Sequence, residues 1–375
     1  MCYGYIHKDF NIVDKGPDSV DPKWNQFLTQ LRKDPNFKNR AKKCFLCNKA
    51  KQFCNSHTIP HFVLENIAEN GKLKNTQVFN NKFLISDENG LNKAQTFRII
   101  CTECDGKLFQ EYETKENYTQ KPSQSMLKQI ALKNHLSRLY KHTQEKIMAC
   151  NALDEMKNMN DVQKLWLSSH KKFFEQQRIV AIKGMTYNEV EAKTIYSSLN
   201  NSDKIYDICY FKILDYKVPY TLQGHSCIFY GFNEEQLTYP FVASPNKIKD
   251  LHVCIFPFSN KSIILIFCKK DFDKYFRFFE KLKSHNNEKQ LSIINYLCFA
   301  YFEDIFLNNT QSGNINNNQA LKEVSMAQST ALTFYNGNVS KKMMLKEQIK
   351  QLKTIFSIDK HLKIPNLLSQ KFEVK

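Results

Sequence analysis

The chain has 375 residues, a formal net charge of +17, and 42% hydrophobic and 13% aromatic residues. That apolar content excludes a mostly disordered chain, and the length allows more than one core. The positive excess favours a polyanionic partner, because each Lys or Arg beside a phosphate releases condensed counterions.

Residues 1–40 form a polar extension with one predicted helix. Asp21-Pro22 starts it, and Trp24, Phe27, Leu28 and Leu31 supply an apolar stripe. Residues 41–120 carry paired cysteines. Within them, 78–85 and 96–100 read as strands, and the polar stretch 86–92 between them suggests a hairpin. Residues 121–200 form a helical connector. Its first helix, 125–149, has Leu132, Leu136, Leu139, Tyr140 and Ile147 at helical spacing. The other faces carry Lys128, Lys133, His135, Arg138, Lys141, His142 and Lys146 against one acid, Glu145. Such a face is either merely solvated or contacts phosphates, in which case Lys133, Arg138 and Lys141 are the expected contacts. Residues 161–200 are again mostly helical.

Residues 201–375 change character and predict an α+β domain. The β-branched and aromatic runs 205–214, 226–232, 252–257 and 262–268 read as strands. Residues 271–283 and 289–306 read as helices packing on them. The Asn-rich stretch 308–318 is an expected linker, followed by a terminal helical region with a polar tail. The fold class expected for the whole is α+β.

The N-terminus lacks a signal-peptide pattern, and no apolar run approaches the ~18 residues that span a bilayer. The expectation is a cytoplasmic, reducing setting without a membrane. There, the 12 cysteines suggest metal before disulfides. Two C-x-x-C knuckles stand out, Cys44/Cys47 and Cys101/Cys104. Each puts two thiolates on one tight turn, so together they complete a tetrahedral site for structural Zn2+. A long loop between knuckles is tolerated, because closure entropy grows slowly with length. A compact rival also exists: Cys44, Cys47, Cys54 and His57 read as C-x2-C-x6-C-x2-H. Six further cysteines, Cys150, Cys209, Cys227, Cys254, Cys268 and Cys298, are scattered at apolar positions and make no site.

Between the knuckles lies Ser56-His57-Thr58-Ile59-Pro60-His61-Phe62, and the second knuckle continues Cys101-x-x-Cys104-Asp105 towards Tyr112-Glu113. A C-x-x-C, an x-His-x-Ile-Pro segment and a second C-x-x-C followed by a polar residue resemble HNH endonucleases of the ββα-metal class. The resemblance covers about residues 42–115. It implies an N-terminal zinc-bound ββα-metal module, and it gives no role to the C-terminal α+β domain of residues 201–375. It implies His57 as the general base that deprotonates water, and Asp105 as a ligand of a catalytic Mg2+ or Mn2+. His61 is a secondary candidate for substrate phosphate. The family often has Asp where this chain has Ser56, a weak ligand; Asn55, Glu111 or Glu113 would compensate. Glu113 lies eight residues past Asp105, within about 80° of it on one helix.

The function implied is metal-dependent cleavage of nucleic acid, DNA foremost. By family analogy it would serve defence against phage or mobile DNA, with the C-terminal domain taking a regulatory ligand or protein partner. The alternatives are a degenerate HNH fold that binds nucleic acid without cutting it, and a protein-interaction scaffold with a purely structural zinc.

Overall fold

The computed structural model describes residues 42–79, 82–85, 89–157, 161–238, 248–308, 318–327 and 341–374. The helix predicted from Asp21 to Leu31 and the interior of the 308–318 linker lie outside the described residues. After the first knuckle, β1 (Ser56–His57) leads into α1 (His61–Ile67), then β2 (Lys72–Phe79), β3 (Lys82–Ile85), β4 (Asn89–Gly90) and β5 (Thr96–Phe97). The second knuckle opens α2 (Thr102–Leu108), which breaks at Phe109 before α3 (Gln110–Glu113). The expected hairpin is redistributed. β3 turns back on β2, and β5 pairs instead with β1, Ser56 opposite Phe97 and His57 opposite Thr96. In the sequence, Asn80-Asn81, residue types common in turns, stand between β2 and β3.

Two long helices follow, α4 (Gln124–Lys157) and α5 (Asp161–Ser198). They run antiparallel: His135 meets Asn188, and seven residues earlier Lys128 meets Ser198. Next come β6 (Tyr206–Leu214), β7 (Tyr220–Ser226), β8 (Leu251–Pro257), β9 (Ser262–Lys269), α6 (Asp273–Lys283), α7 (Asn287–Tyr301) and β10 (Phe306–Leu307). α8 (Gln319–Ser325) and α9 (Lys341–Ile355) complete the described helices.

The fold is α+β. β9, Ser-Ile-Ile-Leu-Ile-Phe-Cys-Lys, has an unbroken apolar interior because both of its faces are covered. Ile263, Leu265 and Phe267 join a core with the cysteine-bearing segment and α4; Ile264, Ile266 and Cys268 join a second core with α6 and α7. The sheet order is β3-β2-β10-β7-β8-β9-β6, with β4 also on β2. β10 bridges its halves, Phe306 pairing with Asn75 on one side and Thr221 on the other. The sheet therefore continues from residues 72–85 into the C-terminal strands. The helix predicted over 289–306 ends at Tyr301 to release β10, and the strand predicted at 226–232 lies instead at 220–226.

α4 is not amphipathic where it matters. Every residue from Met126 to Leu136 is buried, including Lys128, Gln129, Lys133, Asn134 and His135. The helix runs between the cysteine-bearing segment, α5 and the sheet, so it has no outward face there. Its polar side chains meet specific partners instead. Lys128 Nζ donates to Ser198 O (2.8 Å) and Asn201 O (2.7 Å), satisfying carbonyls at the end of α5. Among the described residues, no helix is long and apolar enough to cross a membrane.

Candidate functional site

The four knuckle cysteines converge. One sulfur from each of Cys44, Cys47, Cys101 and Cys104 lies within 4.8 Å of all the others, close enough to bind a metal such as zinc. The turn after Cys44 closes through Asn48 N to Cys44 O (2.9 Å), with Asn48 at a left-handed φ of 55°. Cys101 N donates to Cys44 Sγ (3.3 Å), and Phe45 N donates to Ile99 O (2.9 Å), fastening one knuckle to the other. A backbone amide, that of Lys49 foremost, lowers the Cys47 thiol to about 7. Burial raises Cys44 and Cys104, a cost that a bound cation reverses by stabilising thiolate. The compact rival set is not assembled. Cys54 Sγ points at Ile100 O (3.7 Å), and His57 Nε2 is engaged with Leu91 O.

Beside this centre, β1 and α2 form the two walls of a polar nest. Ser56 Oγ donates to Asp105 Oδ1 (2.7 Å). His57 Nε2 lies 3.1 Å from Leu91 O. A carbonyl can only accept, so Nε2 carries the proton and Nδ1 presents its lone pair. Burial holds the imidazole below its ordinary pKa and hence neutral near pH 7. His61, exposed at the start of α1, sets its ring 5.6 Å from that of His57 and pairs with Glu65. Glu113 reaches the nest although the helix breaks at Phe109 between it and Asp105. Burial raises the Glu113 pKa, against the pull of Lys133.

Lys133 departs from the sequence expectation. It was expected on a surface that touches phosphate; it is fully buried at the centre of this nest. Its Nζ lies 2.7 Å from Asp105 Oδ1, 3.0 Å from Glu113 Oε1, 2.7 Å from Ser56 Oγ and 3.2 Å from His57 O. The ring of Phe109 completes the enclosure, 4.3 Å from Nζ to its centroid. Tyr112 holds the frame: its hydroxyl donates to Thr58 O (3.1 Å) and its amide to Gln129 Oε1 (3.0 Å) on α4. The available signal was a lone lysine inside the apolar run Ile130-Ala131-Leu132-x-x-x-Leu136.

This arrangement bears on the Mg2+ or Mn2+ expected at Asp105, with Ser56 and Glu113 as further ligands. Those oxygens do converge, but on the Lys133 ammonium. Mg2+ demands about six oxygens at about 2.0–2.1 Å, so ion and ammonium exclude each other. As arranged, the residues do not fit the ion. Asn55 is exposed beside the nest, and Glu111 accepts from Ser123 Oγ instead.

Arg138 and Lys141 were likewise expected to contact phosphates. Both instead ion-pair with Glu303, Arg138 at 3.3 Å, and Lys141 also reaches Asp304 at 3.5 Å. They tie α4 to the segment between α7 and β10. Replacing both with Gln should therefore lower stability by about 1–2 kcal/mol. It should leave the salt dependence of any nucleic-acid binding unchanged; a slope shallower by about two contacts would restore the phosphate role. Comparison with protein-family models, curated proteins and solved structures found no match.

Proposed function

We propose that the chain is an HNH-like hydrolase of nucleic-acid phosphodiesters, with His57 as its general base. The observation that carries this reading is the state of His57. It is neutral and its proton is fixed on Nε2 by Leu91 O, so that its Nδ1 lone pair would take a proton from water. β1, β5 and α2, joined beside the four cysteines, have the strand-strand-helix order that the resemblance implies. A zinc ion on those cysteines would hold β1 and α2 in register. Lys133 supplies fixed positive charge next to His57, and the exposed His61 beside it would meet substrate phosphate. Nucleic acid, DNA foremost, remains the substrate class, in keeping with the net charge of +17.

A second reading has its own observation. Because Lys133 fills the position between the carboxylates, the module would bind nucleic acid, or a protein partner, without cutting. One assay separates them: supercoiled DNA, single-stranded DNA and RNA are incubated with wild type and His57→Ala, with and without Mg2+ or Mn2+. The hydrolase reading expects His57→Ala to keep its metal and fold and to lose cleavage by on the order of 10²-fold or more. Equal cleavage by both proteins would remove His57 from the mechanism. No cleavage by either, with salt-sensitive DNA retention intact, would establish the binding reading.

A further inference from the structure

Away from the cysteine centre, the pairing of β7 with β8 sets His225 directly opposite His252. Directly opposed residues share a face of the sheet, and α4 covers this one. From α4, His135 approaches both: its ring centroid lies 4.3 Å from that of His225 and 5.6 Å from that of His252. Asp250, immediately before β8, closes the group with Oδ2 3.8 Å from His225 Nε2. One ligand atom each from His135, His225 and Asp250 lies within 4.8 Å of the others, and all three residues are buried.

The hydrogen bonds around the group leave ring nitrogens of His135 and His225 without partners. Asn188 uses its amide nitrogen on Gly184 O (2.8 Å), so its Oδ1 accepts from His135 Nδ1 at 2.9 Å. That fixes the His135 proton on Nδ1 and leaves the Nε2 lone pair unused. Asp250 is held by the Tyr187 hydroxyl. His225 Nδ1 is buried without a hydrogen-bond partner, an unfavourable state for an interior polar atom. His252 plays a different part: the Asn134 amide donates to its Nδ1 (3.1 Å), and its ring stacks on Phe267 at 4.7 Å. Metal-binding imidazoles and carboxylates are oriented by outer partners such as Asn188 and Tyr187.

We infer that His135, His225 and Asp250 form a second metal site, distinct from the four cysteines, for a divalent transition ion of the zinc class. Two imidazoles and one carboxylate suit zinc and its first-row neighbours rather than Mg2+ or Ca2+. The ion would fasten α4 to β7 and β8. The inference does not depend on whether the chain cuts nucleic acid.

The test uses full-length protein expressed with zinc, iron, manganese, cobalt and nickel supplied, and purified without a metal-affinity step. Elemental analysis should find about two transition-metal ions per chain, one for each site. X-ray absorption at each metal's edge should show one population bound by sulfur and one bound by nitrogen and oxygen, with outer-shell imidazole scattering. His225→Gln and Asp250→Asn should lose the second population and keep the first. About one ion per chain with sulfur ligands alone would overturn the inference. So would a nitrogen- and oxygen-bound ion that survives in both variants. Should neither variant fold, the wild-type spectrum decides alone: imidazole scattering supports the site, and its absence overturns it.

Discussion

Cys101→Ser is expected to release the cysteine-bound ion completely and to destabilise the chain by about 5 kcal/mol or more. Structural zinc contributes roughly 10–16 kcal/mol of apparent binding energy in small zinc-finger peptides, and part of that is recovered here by the surrounding sheet. The position is doubly sensitive. Cys101 is one of the four convergent sulfurs, and its amide also donates to Cys44 Sγ at 3.3 Å, just before α2 begins. With the ion gone, three thiols remain crowded together and β1 loses its register against α2. Metal analysis should find the sulfur-bound ion absent, and thermal unfolding should begin roughly 6 °C or more below wild type. Cys54→Ser is the control and should keep the ion, because Cys54 Sγ faces Ile100 O and not the cluster. A Cys101→Ser protein that retains its sulfur-bound ion would refute the four-cysteine assignment.

Lys133→Ala carries the second large effect, and it has two parts. Removing one partner of a buried ion pair typically costs about 3–5 kcal/mol. Asp105 and Glu113 keep 23% and 36% side-chain exposure, so water recovers some of that and about 2–4 kcal/mol is expected. The second part is a change of ligand. Without the ammonium, Asp105, Glu113 and Ser56 Oγ face an empty centre of hard oxygens. Mg2+ or Mn2+ should then raise the melting temperature of the variant, by the equivalent of about 2.7 kcal/mol at a hundred times its dissociation constant, and leave wild type unmoved. An equal response from both proteins would mean that Lys133 does not occupy the cation position.

Much of this was legible in the residues. The two knuckles could be paired from spacing alone, because each C-x-x-C puts two thiols on one tight turn and two such turns complete a four-cysteine site. β8 and β9 were readable because runs such as Ile263-Ile264-Leu265-Ile266-Phe267 have a single reading when both faces are buried. β7 was not. Its sequence Tyr-Thr-Leu-Gln-Gly-His-Ser looks like a turn, yet Gln223 is buried and donates to Asn134 on α4 at 3.1 Å. The same blindness affected α4. A helix enclosed on all sides near its start shows no clean apolar stripe, so its buried lysines and histidine looked like a charged surface. In both elements the missing information was the partner: Lys133 reads as solvent-facing until Asp105 and Glu113 are seen around it. β10 was invisible for another reason. Two residues carry no periodicity, and its place was determined by the open edges of β2 and β7.

That short strand sets the order in which the molecule can assemble. Thr76 and Ile305 are joined by backbone and side-chain hydrogen bonds although they lie 229 positions apart. The cysteines can capture their ion soon after residue 104 is synthesised, but β2 must wait for Phe306. At about 5–20 residues per second, that wait is roughly 10–45 s of translation. During that interval β2 presents an unpaired edge, the kind of surface on which nascent chains associate with one another. Early ion capture would therefore act as a holding step, keeping the first segment ordered on the ribosome until its last strand arrives.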